Sequence, residues 1–260
     1  KRAYSAKNDG YTLLLSADSL GTQRLMGLSE LSYDDFDVIS PLVDDPKFIV
    51  VSKDSPYETI DDLLDAIKAN PNKIRMSYTG PGGSGHVQQL ILKKLGYETS
   101  ATAYSSGAEC LLALVSKQVD FTNANYSSLK AYIESGDVRL LAVCAKNRLK
   151  SEEKVVALGE VFAESKALFD IEYTPLSLLI RKGVDENIVS SLRKVANNVF
   201  KSEKWQKYVV NILAKKYVDM GFDGLISFLK NIPKKRMQEA FTGSGRKLSA
   251  GCSMIRALQR

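Results

Sequence analysis

The chain has 260 residues, 44% of them hydrophobic, which is enough for one large or two modest globular domains. Its net charge of +6 is not spread out: from Lys234 onward there are seven Lys or Arg against the single acid Glu239, so residues 1–233 sum to zero and the body of the chain is neutral. No run of eighteen apolar residues marks a membrane span, and the start, KRAYSAKNDG, lacks the apolar core of a secretory signal.

In chain order, Gly10 to Ser16 (GYTLLLS) follows the turn pair Asn8-Asp9 and reads as a buried strand. Asp37 to Val43 and Phe48 to Lys53 are two more, split by Asp44-Asp45-Pro46. Thr59 with Asp62 three residues on predicts a capped helix through LLDAIKAN, stopped by Asn70-Pro71. That cap also accounts for Asp61 and Asp62 without a metal or an acid/base role.

The central block alternates: strand Ile74–Tyr78, helix Ser84–Leu95, strand Thr99–Tyr104, helix Gly107–Ser116, strand Asp120–Asn123, helix Ser127–Ser135, strand Val138–Ala145. Such alternation predicts a largely parallel sheet with helices on both faces and ligands beyond the carboxyl ends of the strands. Further on, a helix is predicted over Leu158–Leu168 and a strand over Leu176–Arg181. A long helix runs from Gly183-Val184-Asp185 to Phe200, then a helix over Ser202–Leu213, a strand over Ala214–Val218 and a helix over Ile226–Phe241. The segment Thr242–Arg260 is a basic tail that reads as a solvated end.

The segment with the most chemical content is Lys73–Leu95, a strand, a glycine-rich turn and a helix start. Gly80, Gly82, Gly83 and Gly85 let backbone approach a ligand, and a helix beginning near Ser84 or His86 aims N–H groups at it, which makes an anion pocket. Gly80-Pro81-Gly82-Gly83-Ser84-Gly85 spells G-x-G-x-x-G, but the next strand runs into Ser105-Ser106-Gly107 with no acid for a ribose. The phosphate-loop pattern fails as well, since His86 and Val87 stand where Lys and Ser or Thr are required. No cofactor is implied.

The three cysteines, Cys110, Cys144 and Cys252, are too widely spaced for a zinc pattern or a paired framework. Cys110 and Cys144 lie in apolar runs and read as buried small hydrophobes. His86 is the one histidine, so a histidine-rich metal site is excluded and Cys110 with His86 is the one nucleophilic pair on offer. Neither a metal site nor a catalytic residue is expected.

Four segments resemble one family, the extracytoplasmic solute receptors of tripartite tricarboxylate transporters. Asn8-Asp9-Gly10-Tyr11-Thr12-Leu13-Leu14 is similar to its P-D-G-Y-T-L-L, and Ser77–His86 to its glycine-rich turn ending in Ser-x-His. Ala103-Tyr104 through Leu111 resembles its P-Y-K-G-x-A-x-x-L, and Gln118-Val119-Asp120 through Val143 its G-Q-V-D with a following L-A-V. The resemblance runs from about Lys7 to Ala145 and more weakly to Phe228.

The resemblance implies a two-lobed α/β type II periplasmic binding protein-like fold, each lobe a mostly parallel sheet flanked by helices. Lobe 1 would be residues 1–49 with 173–241, lobe 2 residues 50–172, and 242–260 the tail. It further implies an extracytoplasmic receptor, not an enzyme, that clamps a small organic carboxylate and hands it to membrane permease subunits, with no nucleic acid partner. On one side the ligand would meet Tyr78, Thr79, Gly80, Gly82, Gly83, Ser84, His86, Tyr104, Ser105, Gly107 and Asn125, and on the other Ser16 and Ala17. Two departures weaken the charge of that site: Ser105 replaces the family's Lys, and Ala124 replaces the Asp before Asn125. The family's first strand–helix unit is expected to be missing ahead of Asp9. Two other classes compete: the effector domain of a transcription regulator, for which no helix-turn-helix is seen, and an α/β enzyme.

Overall fold

The computed structural model describes residues 1–17, 19–149, 151–169, 175–205 and 207. The chain divides into two compact units, one of Lys1–Asp44 with the residues from Pro175 on, the other of Asp45–Thr174. The predicted strand at 214–218, the helix at 226–241, the tail, Cys252 and all but the start of the helix predicted at 202–213 lie outside the described residues.

The first unit begins with α1 (Arg2–Ser5), β1 (Leu13–Ser16), α2 (Ser19–Leu25) and β2 (Phe36–Asp44). The second holds β3 (Lys47–Ser52), α3 (Ile60–Ala69), β4 (Arg75–Thr79), α4 (Ser84–Lys94), β5 (Ser100–Tyr104), α5 (Gly107–Val115) and β6 (Phe121–Asn125). It continues through α6 (Tyr126–Glu134), β7 (Val138–Val143), β8 (Val156–Ala157) and α7 (Leu158–Val161). The first unit then resumes with β9 (Pro175–Arg181) and α8 (Glu186–Lys201).

The second unit is built on a six-stranded sheet of order β5-β4-β6-β3-β7-β8. β4 pairs parallel with β5 and β6, and β7 with β8, whereas β3 runs antiparallel to both β6 and β7. Five strands therefore share one direction and β3 alone opposes them. β3 reads as an unbroken apolar run, FIVV, because both of its faces are covered. Ile49 and Val51 join Met76 and Phe121 under Leu63, Ile67 and Ile91 of α3 and α4. Phe48 and Val50 join Val143 under Leu111, Leu114 and Leu129 of α5 and α6.

Local sequence sets the helix ends. The Thr59 hydroxyl accepts from the Asp62 N–H at 3.2 Å while the Asp62 carboxylate accepts from the Thr59 N–H at 2.8 Å, a reciprocal cap. These bonds hold the Asp62 carboxyl below its ordinary range, so this acid is spent on the helix start. The helix predicted over 158–168 is instead α7 followed by a 3₁₀ segment, Ala163–Phe169. The bend stacks Phe162 on Phe169 with ring centroids 5.6 Å apart and buries Leu158, Leu168 and Phe169 in the core.

The first unit departs from the expected mostly parallel sheet. Among the described residues its sheet has the order β1-β9-β2, and β9 is antiparallel to both neighbours. β1 and β2, separated by α2, do run the same way; β9, on which the chain re-enters the unit, inserts between them in the opposite sense. β3 and β9, the first strand in the second unit and the first after it, are thus the two reversed strands. Leu179 of β9 packs with Phe36 and Val38 in one cluster, and Ile180 with Ile39 and Val189 in another.

Candidate anion site at the strand ends

Strands β5, β4 and β6 lie side by side and parallel, so their carboxyl ends and the helices that follow them share one edge of the second unit. Each strand end leads directly into a helix N-terminus, where the first N–H groups have no partner inside the helix. What covers each N-terminus decides where an anion could bind.

At α5, the Ser106 hydroxyl accepts from the Glu109 N–H at 3.2 Å, and the Glu109 carboxylate accepts from the Ser105 N–H at 3.1 Å. At α6, the Asp45 carboxylate accepts from the N–H and the hydroxyl of Ser127, and the Pro46 carbonyl takes the Tyr126 N–H. Both ends are closed by the protein's own oxygens. At α4 the N-cap is Gly83, which brings no side chain to the first turn. The middle N-terminus of the three is the one whose cap residue has no side chain to give.

The turn into α4 is held by backbone and by His86. The Gly80 N–H donates to the Tyr104 carbonyl at 3.1 Å, tying the turn to β5. Gly82 sits at φ +81°, a region that other residues occupy at a cost. Its N–H donates to Nδ1 of His86 at 3.2 Å, and the His86 ring stacks on Tyr78 with centroids 5.0 Å apart. Nδ1 is therefore an acceptor, which puts the proton of the neutral imidazole on Nε2. Burial holds the imidazole pKa below its ordinary value of 6.5, and burial raises the Tyr78 phenol. Gly85 has a separate reason: a Cβ there would stand 2.6 Å from Oδ1 of Asn123, whose Nδ2 donates to the Gly85 carbonyl at 2.8 Å.

The residues singled out in the sequence fall into three groups. Tyr78, Thr79, Gly80, Gly82, Gly83, Ser84, His86 and Tyr104 are brought together around this turn, with Thr79 and Tyr104 directly paired across β4 and β5. Ser105 and Gly107 flank the α5 cap, where the Ser105 N–H is already taken by Glu109. Asn125 is used internally: Nδ2 donates to the Asp45 carbonyl at 2.7 Å and Oδ1 accepts from Lys47 at 2.5 Å. Ser16 and Ala17 belong to the other unit, at the end of β1, where the Tyr33 hydroxyl donates to the Ala17 carbonyl at 2.9 Å.

The Cys110 thiol is buried and its pKa raised by that burial, and Cys144 is pushed up to about 12 by the same cause. A thiol of this kind is inert. Glu109 and Asp45 are the site carboxylates that the sequence reading passed over. Ser106-x-x-Glu109 is a legible cap spacing, whereas nothing local links Asp45 to Ser127, 82 residues away.

This architecture is the periplasmic binding protein fold. BugD, a periplasmic binding protein, superposes with a TM-score of 0.78 at 22% identity, over 94% of this chain and 81% of its own. MatC from Rhodopseudomonas palustris, solved with bound malate, gives 0.77 at 16% identity, over 92% and 82%. A second R. palustris protein, solved with adipate, gives 0.73 at 21% identity, over 91% and 81%. The chain belongs to the tripartite tricarboxylate transporter receptor family, TctC, whose model matches residues 2–223, a family of solute-binding receptors and not of enzymes. A UPF0065 protein of Bordetella pertussis is 29% identical over 166 residues, 63% of this chain and 51% of the relative. Protein BugT of the same organism is 23% identical over 202 residues, 75% and 60%. The chain thus spans about half the length of the first of these two relatives. Among the described residues no helix is long and apolar enough to cross a membrane.

Proposed function

We propose that this chain binds a small organic carboxylate at the N-terminus of α4 and serves, outside the cytoplasmic membrane, as the receptor that presents it to transporter permease subunits. The observation that carries the reading is the glycine-capped α4 N-terminus between two that are closed by side-chain oxygens, the Ser106 hydroxyl at α5 and the Asp45 carboxylate at α6. In that comparison Asp45 already acts as a carboxylate docked on a helix start, the same chemistry a ligand would use on α4. Hydrogen bonds to a charged acceptor are worth roughly 1.5–3 kcal/mol each, so two N–H groups and the helix dipole hold a carboxylate without arginine.

Tyr78, Thr79 and Tyr104 wall the ligand's body, and His86 stabilises the turn. Ser16 and Ala17 enter the proposal through the family resemblance. That relatives of the same fold were solved with malate and with adipate supports a carboxylate as the ligand class.

A panel of mono-, di- and tricarboxylates tests the reading by thermal melting of the full chain. A ligand at about 100 times its Kd adds about 2.7 kcal/mol, which at roughly 2–4 °C per kcal/mol raises the melting temperature by about 5–10 °C. The compound is recovered unchanged. A panel that moves the midpoint nowhere contradicts the proposal, as does turnover of the compound.

A further inference from the structure

We infer that β1 and the neighbouring flank of α8 form a self-association surface, through which two copies of this chain pair β1 to β1 about a two-fold axis. The sheet of the first unit has the order β1-β9-β2, so among the described residues β1 and β2 are its two edges. β2 is guarded: its pairing with β9 is interrupted by two register shifts, and it carries Asp37, Pro41 and Asp44. Bulges, prolines and charges of this kind keep an edge from pairing with another chain. β1 has none of them. Its four pairs with β9 run in unbroken register, and residues 10–17, GYTLLLSA, hold no charge and no proline.

Exposed apolar side chains gather at this unguarded edge. Of the eight exposed large apolar side chains among the described residues, six are Tyr11, Leu13 and Leu15, on or just ahead of β1, and Ile188, Val195 and Val199 on α8. Leu13 and Leu15 pair with Ile180 and Leu178 of β9, which pack with Val189, Leu192 and Ala196 of α8, so the two leucines point to the face on which α8 lies.

The helix runs along β1. Ile188 lies against Gly10, where a Cβ would stand 2.7 Å from its Cγ2. Further on, Nε of Arg193 donates at 3.1 Å to the carbonyl of Val38, which is level with Leu14 through Leu179. Ile188, Val195 and Val199 are spaced i, i+7 and i+11 and share one flank of the helix, the flank that Ile188 turns toward β1. Over that spacing the helix advances about 10 and 16 Å, and the strand advances about as much from Gly10 to Leu13 and to Leu15, so the valines stand level with the leucines.

Together the six side chains expose roughly 500–600 Å² of apolar surface, the upper end of what a monomer carries in one patch, and two copies joined there bury about 1,000–1,200 Å², enough for a specific interface. A second copy fits because β1 is its own complement. Antiparallel pairing about a two-fold keeps both leucine faces on one side of a continuous sheet, β2-β9-β1-β1-β9-β2. It also uses up the unguarded edge of each first unit, so association stops at the dimer. β5, an uncharged edge of the second unit, carries none of the exposed large apolar side chains.

Sedimentation velocity of the full chain from 1 to 200 µM tests the pairing, with Leu15→Lys, Val199→Lys and, as a control, Leu112→Lys, an equally exposed leucine on α5. All three positions are exposed, so the variants keep their fold, which thermal melting checks. Expected are a monomer–dimer equilibrium with a micromolar midpoint in the parent and in Leu112→Lys, and a dissociation constant raised tenfold or more in Leu15→Lys and in Val199→Lys. Hydrogen exchange at the amides of residues 12–16 slows as the parent's concentration rises. A parent that stays monomeric to 200 µM overturns the inference, whether its β1 amides exchange freely or are protected from within the chain. Growth beyond the dimer, or a dimer that either lysine on the patch leaves intact, overturns it as well.

Discussion

Gly85→Val is expected to lower the melting temperature by roughly 5–10 °C. The Cβ it adds lands 2.6 Å from Asn123 Oδ1 and 3.5 Å from the Thr79 nitrogen, in a layer with no room to spare. Asn123 cannot swing aside cheaply, because its Nδ2 holds the Gly85 carbonyl at 2.8 Å and its side chain is buried on β6. Overpacking of this kind costs about 1–3 kcal/mol, and a lost buried hydrogen bond adds about 1 kcal/mol. Valine recovers less than about 1 kcal/mol through its better helix propensity, so the clash wins. Thermal unfolding followed by circular dichroism measures the outcome; an unchanged midpoint means α4 is free to move off β6.

His86 is expected to make both stability and binding fall as the solution is acidified. Burial lowers the folded-state pKa of the imidazole below 6.5, so the folded protein favours the neutral ring. Below pH 6.5 the unfolded chain takes up a proton that the folded chain resists, so stability falls with falling pH until the folded pKa is passed. Above pH 6.5 the contribution is fully present. Geometry gives the structural counterpart, since protonation puts a hydrogen on Nδ1, which now faces the Gly82 N–H and no longer accepts from it.

Unfolding midpoints and carboxylate affinities from pH 8 to pH 5 measure the effect in the parent, in His86→Ala and in His86→Asn. Alanine is expected to weaken both properties at every pH and to flatten their slope between pH 7 and 5. Asparagine, which offers Oδ1 near the place of Nδ1, is expected to restore part of the alkaline affinity with the flat slope retained. A parent whose binding strengthens on acidification contradicts the assignment of His86 as the acceptor that holds the turn.

The second unit was legible in the sequence to an unusual degree because its signals are local. Thr59 with Asp62, the glycines after β4, and the alternation of apolar strands with capped helices each act within a few residues, and the elements from β3 to β7 fall within a residue or two of their predicted bounds. The glycine-capped helix start was readable for the same reason, as Gly83 precedes Ser84 with no Ser, Thr, Asp or Asn at the cap position. Long-range facts were not readable. The reversal of β3 and β9 depends on which strands neighbour them, and the FIVV run of β3 has no alternation to reveal direction.

Asn125 shows the same limit inside the site. Its place at a strand end suits a ligand contact, yet Asp45 and Lys47, some 80 residues earlier, take both ends of its amide. The break after Val161 has no proline or glycine among residues 160–169 to announce it, and the cause is tertiary, the stacking of Phe162 on Phe169.

The central claim is that a carboxylate sits on the N–H groups of α4, and the most direct test is titration calorimetry of the carboxylate panel with the parent and with Gly83→Val. Gly83 has φ −77° and ψ 165°, a conformation open to any residue, and a Cβ there meets the Thr79 carbonyl at 3.2 Å, so the variant keeps its fold with a small adjustment. Its branched side chain adds bulk at the N-cap, next to the N–H groups that the proposed ligand would use. The predicted result is saturable binding of at least one carboxylate by the parent and a loss of a hundredfold or more in a Gly83→Val protein that still unfolds cooperatively. Equal affinity in the two proteins would place the carboxylate elsewhere and reduce the turn to a structural element.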